Sequence, residues 1–375
     1  MQESTGAPRM HYIDALRGYA IVGVLMTHCG MQVSPDSVLL RTIASASRNG
    51  VQLFFVASAL ALCFSVKSRS KNEHKWVAEF YIRRFFRIAP AFWLAAICYR
   101  LIDGFGPQYW APNGIDAWQL ILTFAFFHGW HPESINAVVP GGWSIAAEFS
   151  FYLIFPIIFS KCSTPRKTAA FLAIAICTSA IFRIFVGKFI GAQYSDEQRY
   201  VAEAFVGFSF VSQLQIFLLG ILTFQILDAK LLQRDNSWLL LSYSIIVLFA
   251  ALMVRTTADL FPQSLICGIG FVLFTLALSR GSIKFLVNNM IVFIGKISFS
   301  VYLVHFYVIR LLRSVPLLAD LHGDAGFLVF LTAVLIVSGL ISFVTYKIIE
   351  IPGMSVGNWI IRNLSLRNTQ LRRDI

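Results

Sequence analysis

The chain has 375 residues, of which 57% are hydrophobic and only 13% charged. Soluble chains average about 25% charged residues, so this one could not cover its own surface in water. A soluble enzyme, a disordered tail protein and a nucleic-acid binder are excluded despite a net charge of +12; what remains is an all-α polytopic membrane protein.

Apolar runs of about 17–25 residues are spanning candidates. Ten occur, at roughly 11–31, 48–66, 84–102, 143–160, 168–187, 203–226, 237–254, 261–279, 288–309 and 325–349. An eleventh run, 117–130, has about 14 residues, a length that suits a re-entrant or interfacial segment. Charge bias supports ten spans with both termini cytoplasmic. That topology puts 22 of the 31 Lys and Arg on the inner side, whereas an eleventh span would turn the basic loop 161–167 and the basic tail outward. Residues 103–142 then form an external segment. The first run carries Asp14 and Arg17 and lacks a small-residue cleavage site, so it is expected to stay as a helix. The whole chain reads as a single membrane domain, core 10–352, with a basic cytoplasmic tail at 353–375. Its six cysteines stand singly without CxxC spacing, so neither a metal site nor a disulfide framework is expected.

Polar groups inside membrane helices are expensive and default to functional hypotheses. In the first run, Arg17 and His28 are eleven positions apart. That is three turns plus about 20°, so both face one way, about 16 Å apart in depth. Alone, each reads equally as a snorkelling arginine or an interfacial histidine. The third run opens with Arg83, Arg84 and Arg87. Arg84 and Arg87 share a face, and two guanidinium forks suit phosphate groups; a purely topogenic cluster is the alternative. The fourth run carries Ser144, Glu148 and Tyr152 on one stripe just after Trp143. Glu148 lies about 7 Å below the outer end of that helix. This suggests a depth like that of His28 and a Glu–His pair that orients the imidazole. In the ninth run Ser298, Tyr302 and His305 form another stripe, beside Ser300, with helix–helix glue as the alternative reading. In the second run, which opens at Asn49, Gln52 and Ser58 could line the same interior. Glu350 and Pro352 read as a charged anchor and a helix stop.

These motifs, in this order, resemble the acyltransferase-3 family of integral-membrane O-acyltransferases. The residues that carry the resemblance are Asp14-x-x-Arg17-Gly18 with His28, the stretch Asn49 to Ser58, and Arg84-x-x-Arg87. Trp143-Ser144-x-x-x-Glu148, Ser298-x-Ser300-x-Tyr302-x-x-His305 and Glu350-x-Pro352 complete it. Ala59 departs from the family's usual glycine. The resemblance covers about residues 10–352 and is closest to the stand-alone type, similar to the O-antigen and Nod-factor O-acetyltransferases.

The resemblance implies transfer of an acyl group, usually acetyl, from cytoplasmic acyl-CoA to a hydroxyl of a carbohydrate or lipid-linked glycan. The reaction would take place at the outer face of a bacterial cytoplasmic (inner) membrane. Acetyl-CoA would be the donor, with no metal; the partners would be acyl-CoA, the glycan and membrane lipids, and no nucleic acid. On this reading Arg84 and Arg87, with Arg17, bind the CoA phosphates. His28 is the general base and Glu148 orients it. Tyr302, Ser300 or His305 donates to the oxyanion, and Trp143 and Ser144 contact the acceptor. Asp14, Asn49, Ser58, Ser298 and Glu350 support the site. Direct transfer and an acyl-enzyme relay through His28 or a serine both fit. The rival class is a transporter or flippase for a lipid-linked glycan, which would use the same buried charges as a path. The chain shows no inverted repeat and no matching broken helices to favour it.

Overall fold

The computed structural model describes residues 10–69, 76–231, 236–253 and 262–371. Among the topogenic charges, Arg9, Lys71, Lys75, Arg234, Arg255, Arg372 and Arg373 lie outside the described residues, as do the edges of two expected runs at 254 and 261. Secondary structure among the described residues is helical apart from turns and an isolated bridge between Gln108 and Ala111. The principal helices are α1 (His11–Gln32), α2 (Gly50–Arg69), α3 (Trp76–Asp103), α4 (Trp143–Lys161), α5 (Pro165–Ile181) and α6 (Phe210–Asp228). They continue with α7 (Ser237–Met253), α8 (Gln263–Ser279), α9 (Asn289–Lys296), α10 (Ser298–Arg313), α11 (Gly323–Thr345) and α12 (Ile351–Leu371).

Among the described residues, six helical stretches are long and apolar enough to cross a membrane: Val38–Arg69, Trp76–Asp103, Trp143–Lys161, Pro165–Gly191, Arg199–Asp228 and Gly323–Leu364. Gln263–Ser279 and Lys284–Lys296, bent at 112°, make a seventh if taken as one span. The ten-run expectation counts more for identifiable reasons. Polar Asp14, Arg17 and His28 dilute the 22-residue α1. The run expected at 288–309 is two helices, α9 and α10, interrupted at Ile297. The run at 237–254 is described only as a 17-residue helix, α7, whereas the run at 203–226 still counts, although Ser209 interrupts it and caps Ser212 with its hydroxyl. The segment 117–130 holds an eight-residue helix, Ala117–Phe124, about 12 Å long and too short to span.

The expected helix stop at Pro352 does not occur. A π-turn over Tyr346–Glu350 leads straight into α12. Proline lacks an N–H and its ring crowds the carbonyl four residues back; the wider π-turn relieves both. Glu350 is correspondingly not a surface anchor. It is 3% exposed and accepts a hydrogen bond from Ser300 of α10.

Two features place the site. First, α1 and α9 cross at glycines. A Cβ at Gly295 would lie 1.7 Å from the Asp14 carbonyl oxygen, and one at Gly18 would lie 2.3 Å from that of Ile291. Only glycine permits this approach, and it delivers Ser298 beside Arg17. Second, residues 134–139 ahead of α4 are buried, so α4 starts inside the protein. Ala59, where the family's glycine is missing, packs against Gly220 of α6.

Candidate active site

Arg17 of α1, Ser58 of α2, Arg84 and Arg87 of α3, Glu148 and Tyr152 of α4, and Ser298 of α10 line one pocket. Ser144 and Tyr302 close its other end. Glu148 accepts hydrogen bonds from the Ser58 hydroxyl and, at 2.6 Å, from the Tyr152 hydroxyl. Asp14 lies 3.8 Å from the Arg17 guanidinium. The Arg84 guanidinium sits 5.8 Å from the ring centroids of both Phe80 and Tyr152, and its Nε is buried without a hydrogen-bond partner. Three arginines thus converge on Glu148, with Asp14 beside Arg17 and Glu350 within electrostatic reach of Arg87; the guanidinium forks suit an anion.

The histidines lie beyond Tyr302. The His28 ring is 5.3 Å from that of His305 and 4.4 Å from that of Phe306, centroid to centroid. His305 is fully buried, and its Nδ1 lies 2.7 Å from the Tyr302 carbonyl oxygen. A carbonyl only accepts, so Nδ1 carries the proton and Nε2 presents its lone pair; that Nε2 has no hydrogen-bond partner. Between the two centres, the Tyr302 hydroxyl donates to the Gly141 carbonyl at 2.8 Å and accepts from Ser144 at 2.8 Å. Gly141 has φ +75°, and a Cβ there would stand 3.0 Å from the Tyr302 oxygen. The turn needs glycine on both counts.

The structure brings Arg17, Arg84 and Arg87 together and places His28 on the face of α1 toward α10. It separates Glu148 from His28. The expected pairing assumed that α4 begins at the outer surface, whereas its start is buried and Glu148 reaches the depth of Arg17. Other expected site residues make contacts of their own. Ser300 gives its proton to Glu350, and Tyr302 gives its proton to Gly141, so neither is free to donate to an oxyanion in this state. Trp143 is buried and stacked on Phe208, 4.4 Å between centroids, one residue away from the pocket. Asn49 bonds the Ala46 carbonyl at 3.0 Å; Gln52 bonds Gln213 of α6 at 3.2 Å and holds α2 to α6 rather than lining the pocket.

Sequence reasoning missed Phe306 and His128. His128 is buried, lies 3.0 Å from the Gly142 carbonyl and stacks on Phe92, so it holds the turn that starts α4. It sits in the 117–130 run without periodic partners. Only the adjacent Gly141-Gly142 pair hinted at a tight approach.

Comparison with known proteins gives this geometry a family. The model of an acyltransferase domain matches residues 10–347. The chain is 26% identical to the O-acetyltransferase OatA of Staphylococcus aureus strain MRSA252, over 97% of this chain and 60% of that protein. It is 27% identical to OatA of strain NCTC 8325, over 91% and 56%. The chain thus spans 60% or less of the length of these curated relatives. No solved structure matches it. Since the family match covers nearly all of the chain, including every residue of the arginine pocket and both facing histidines, the chain belongs to the acyltransferase-3 family.

Proposed function

We propose that the chain is a membrane O-acyltransferase. It transfers an acyl group, acetyl in the first instance, from acyl-CoA supplied on the cytoplasmic side to a hydroxyl of a carbohydrate-type acceptor on the outer side. The observation that supports this reading is the arrangement along α1, with an arginine pocket at Arg17 and an imidazole pair at His28 on the same face. Eleven residues of helix separate them by about 16 Å, a length comparable with an extended pantetheine arm. The reading takes the ten apolar runs as crossing a bacterial cytoplasmic membrane, with both termini inside, consistent with the positive-inside bias.

On this reading Arg17, Arg84 and Arg87 hold donor phosphates while the thioester lies beside His28. The His28 imidazole takes the proton of the acceptor hydroxyl, the hydroxyl oxygen attacks the thioester carbonyl, and the C–S bond breaks to release CoA thiol. An acyl-His28 relay uses the same geometry in two steps, with the acyl group resting on the ring before the acceptor arrives. His305 stands where Glu148 was expected, as the neighbour that His28 meets. Glu148 serves the donor end, as counter-ion to the arginines.

The test is purified protein in nanodiscs with acetyl-labelled acetyl-CoA. Release of CoA with transfer of label to glycan or water, lost in His28→Ala, supports the reading. Transport of a lipid-linked glycan without acetyl transfer would overturn it in favour of a flippase.

A further inference from the structure

A carboxylate that the reaction scheme leaves unused lies behind α10. Ser298 and Tyr302 stand about 40° apart on that helix, and both line the arginine pocket. His305 continues the same stripe, about 20° from Ser298. Ser300 lies about 160° away from Ser298 and from Tyr302, on the back of the helix. There Glu350 accepts its hydroxyl proton, and both residues are buried. Ser300 is the third residue of α10, which starts after Ile297 with no side-chain cap. Its N–H, one of the donors that a helix start leaves without an intrahelical partner, faces the same carboxylate. Glu350 closes the π-turn Tyr346–Glu350, which also packs on α3, and it lies within electrostatic reach of Arg87.

We propose that Glu350 is a positioning residue for acyl transfer: through Ser300 it fixes the first turn of α10, and with it the register of Tyr302 and His305 against the arginine pocket and His28. The proposal rests on the acyltransferase reading above. A carboxylate buried among membrane helices is expensive and persists where positive partners satisfy it. Glu350 has two, the N-terminal end of the α10 dipole and Arg87. Helix–helix glue needs only neutral hydroxyls or amides, such as Gln52 and Gln213 supply between α2 and α6. It needs neither a full charge nor a place at a helix start. The break at Ile297 means that α9 does not carry its own axis on into α10. The direction of α10 is therefore set by what holds its first turn, and Glu350 holds it from the side opposite the reacting groups. The same carboxylate offsets the charge of Arg87, one of the three arginines assigned to the donor phosphates.

The experiment compares wild type, Ser300→Ala, Glu350→Gln and the double variant as full-length protein in nanodiscs. Acetyl-CoA binding sites are counted first, so that kcat is expressed per folded donor site. Ser300→Ala should lower kcat about tenfold, the scale of one charge-assisted hydrogen bond, with KM for acetyl-CoA unchanged. Glu350→Gln keeps an oxygen for the Ser300 hydroxyl but loses the charge. It should lower kcat and also lower KM for acetyl-CoA, because Arg87 is released from its counter-charge. The double variant should lose no more kcat than the worse single variant, since both act through one contact. A packing role alone would reduce the number of binding sites and leave kcat per site and KM as in wild type, and that result would overturn the proposal. Additive losses in the double variant would overturn it as well. If Glu350→Gln does not fold, Ser300→Ala decides alone, a wild-type kcat per site overturning the proposal and a lowered one with unchanged KM supporting it. No acetyl transfer by wild type would overturn the acyltransferase reading and this proposal together.

Discussion

His28 of α1 meets His305 of α10 ring to ring at 5.3 Å, while Glu148, the carboxylate expected beside His28, is bound to Ser58 and Tyr152 in the arginine pocket. The Nδ1 proton of His305 is committed to the Tyr302 carbonyl. Its Nε2 is therefore the group available to share a proton with a neighbouring ring.

His28→Ala should abolish acyl transfer with membrane insertion intact. His305→Asn keeps an N–H for the Tyr302 carbonyl and deletes the second ring nitrogen. It should lower transfer on the order of 10²-fold, within the usual range of one acid–base group, and alter the pH dependence of kcat/KM. The check is a pH–rate profile of both variants; a normal profile in His305→Asn would reduce that residue to packing.

Glu148→Gln separates the expected role from the observed one. As counter-ion to the arginines, Glu148 offsets the charge that holds the donor phosphates, so its neutralisation should lower KM for acetyl-CoA, by up to about tenfold. The pH dependence of kcat/KM should stay as in wild type. A shifted profile with unchanged KM would restore the coupling to His28.

Arg84→Lys and Arg87→Lys keep the charge but lose the planar fork. Each should weaken acetyl-CoA binding by about 1–3 kcal/mol, leaving insertion and acceptor affinity unchanged. Equilibrium binding of acetyl-CoA to both variants decides the matter. A silent lysine at both positions would make the pair merely topogenic, since the positive-inside rule treats the two residues alike.

Cysteines introduced at the exposed positions Asn113 and His131, in a cysteine-free background, should both react with an impermeant thiol reagent from outside. They flank Ala117–Phe124. Labelling from opposite sides would mean that this segment crosses the bilayer despite its length.

Helix periodicity made the facing of Arg17 and His28, and the stripes on α4 and α10, legible from sequence, because a turn of 3.6 residues is the same everywhere. The depth of one helix against another was not legible. Glu148 was misplaced because nothing local marks residues 134–139 as buried, and the burial of Glu350 was hidden by a proline that normally ends helices. The break at Ile297 was equally silent, since an apolar run reads the same whether one helix or two compose it.

The π-turn at Tyr346–Glu350 acts as a phase shifter. An extra residue in a helical turn rotates everything downstream by about 100° around the axis. Upstream of it, α11 packs on α10, the helix of Tyr302 and His305. Downstream, α12 turns Gly353 and Gly357 onto Phe86 of α3, next to Arg87. One continuous rod from Gly323 to Leu364 can thereby present a different side to each of the two helices that carry opposite ends of the site. Removing a single residue from the turn would detune the second contact while leaving the first in register.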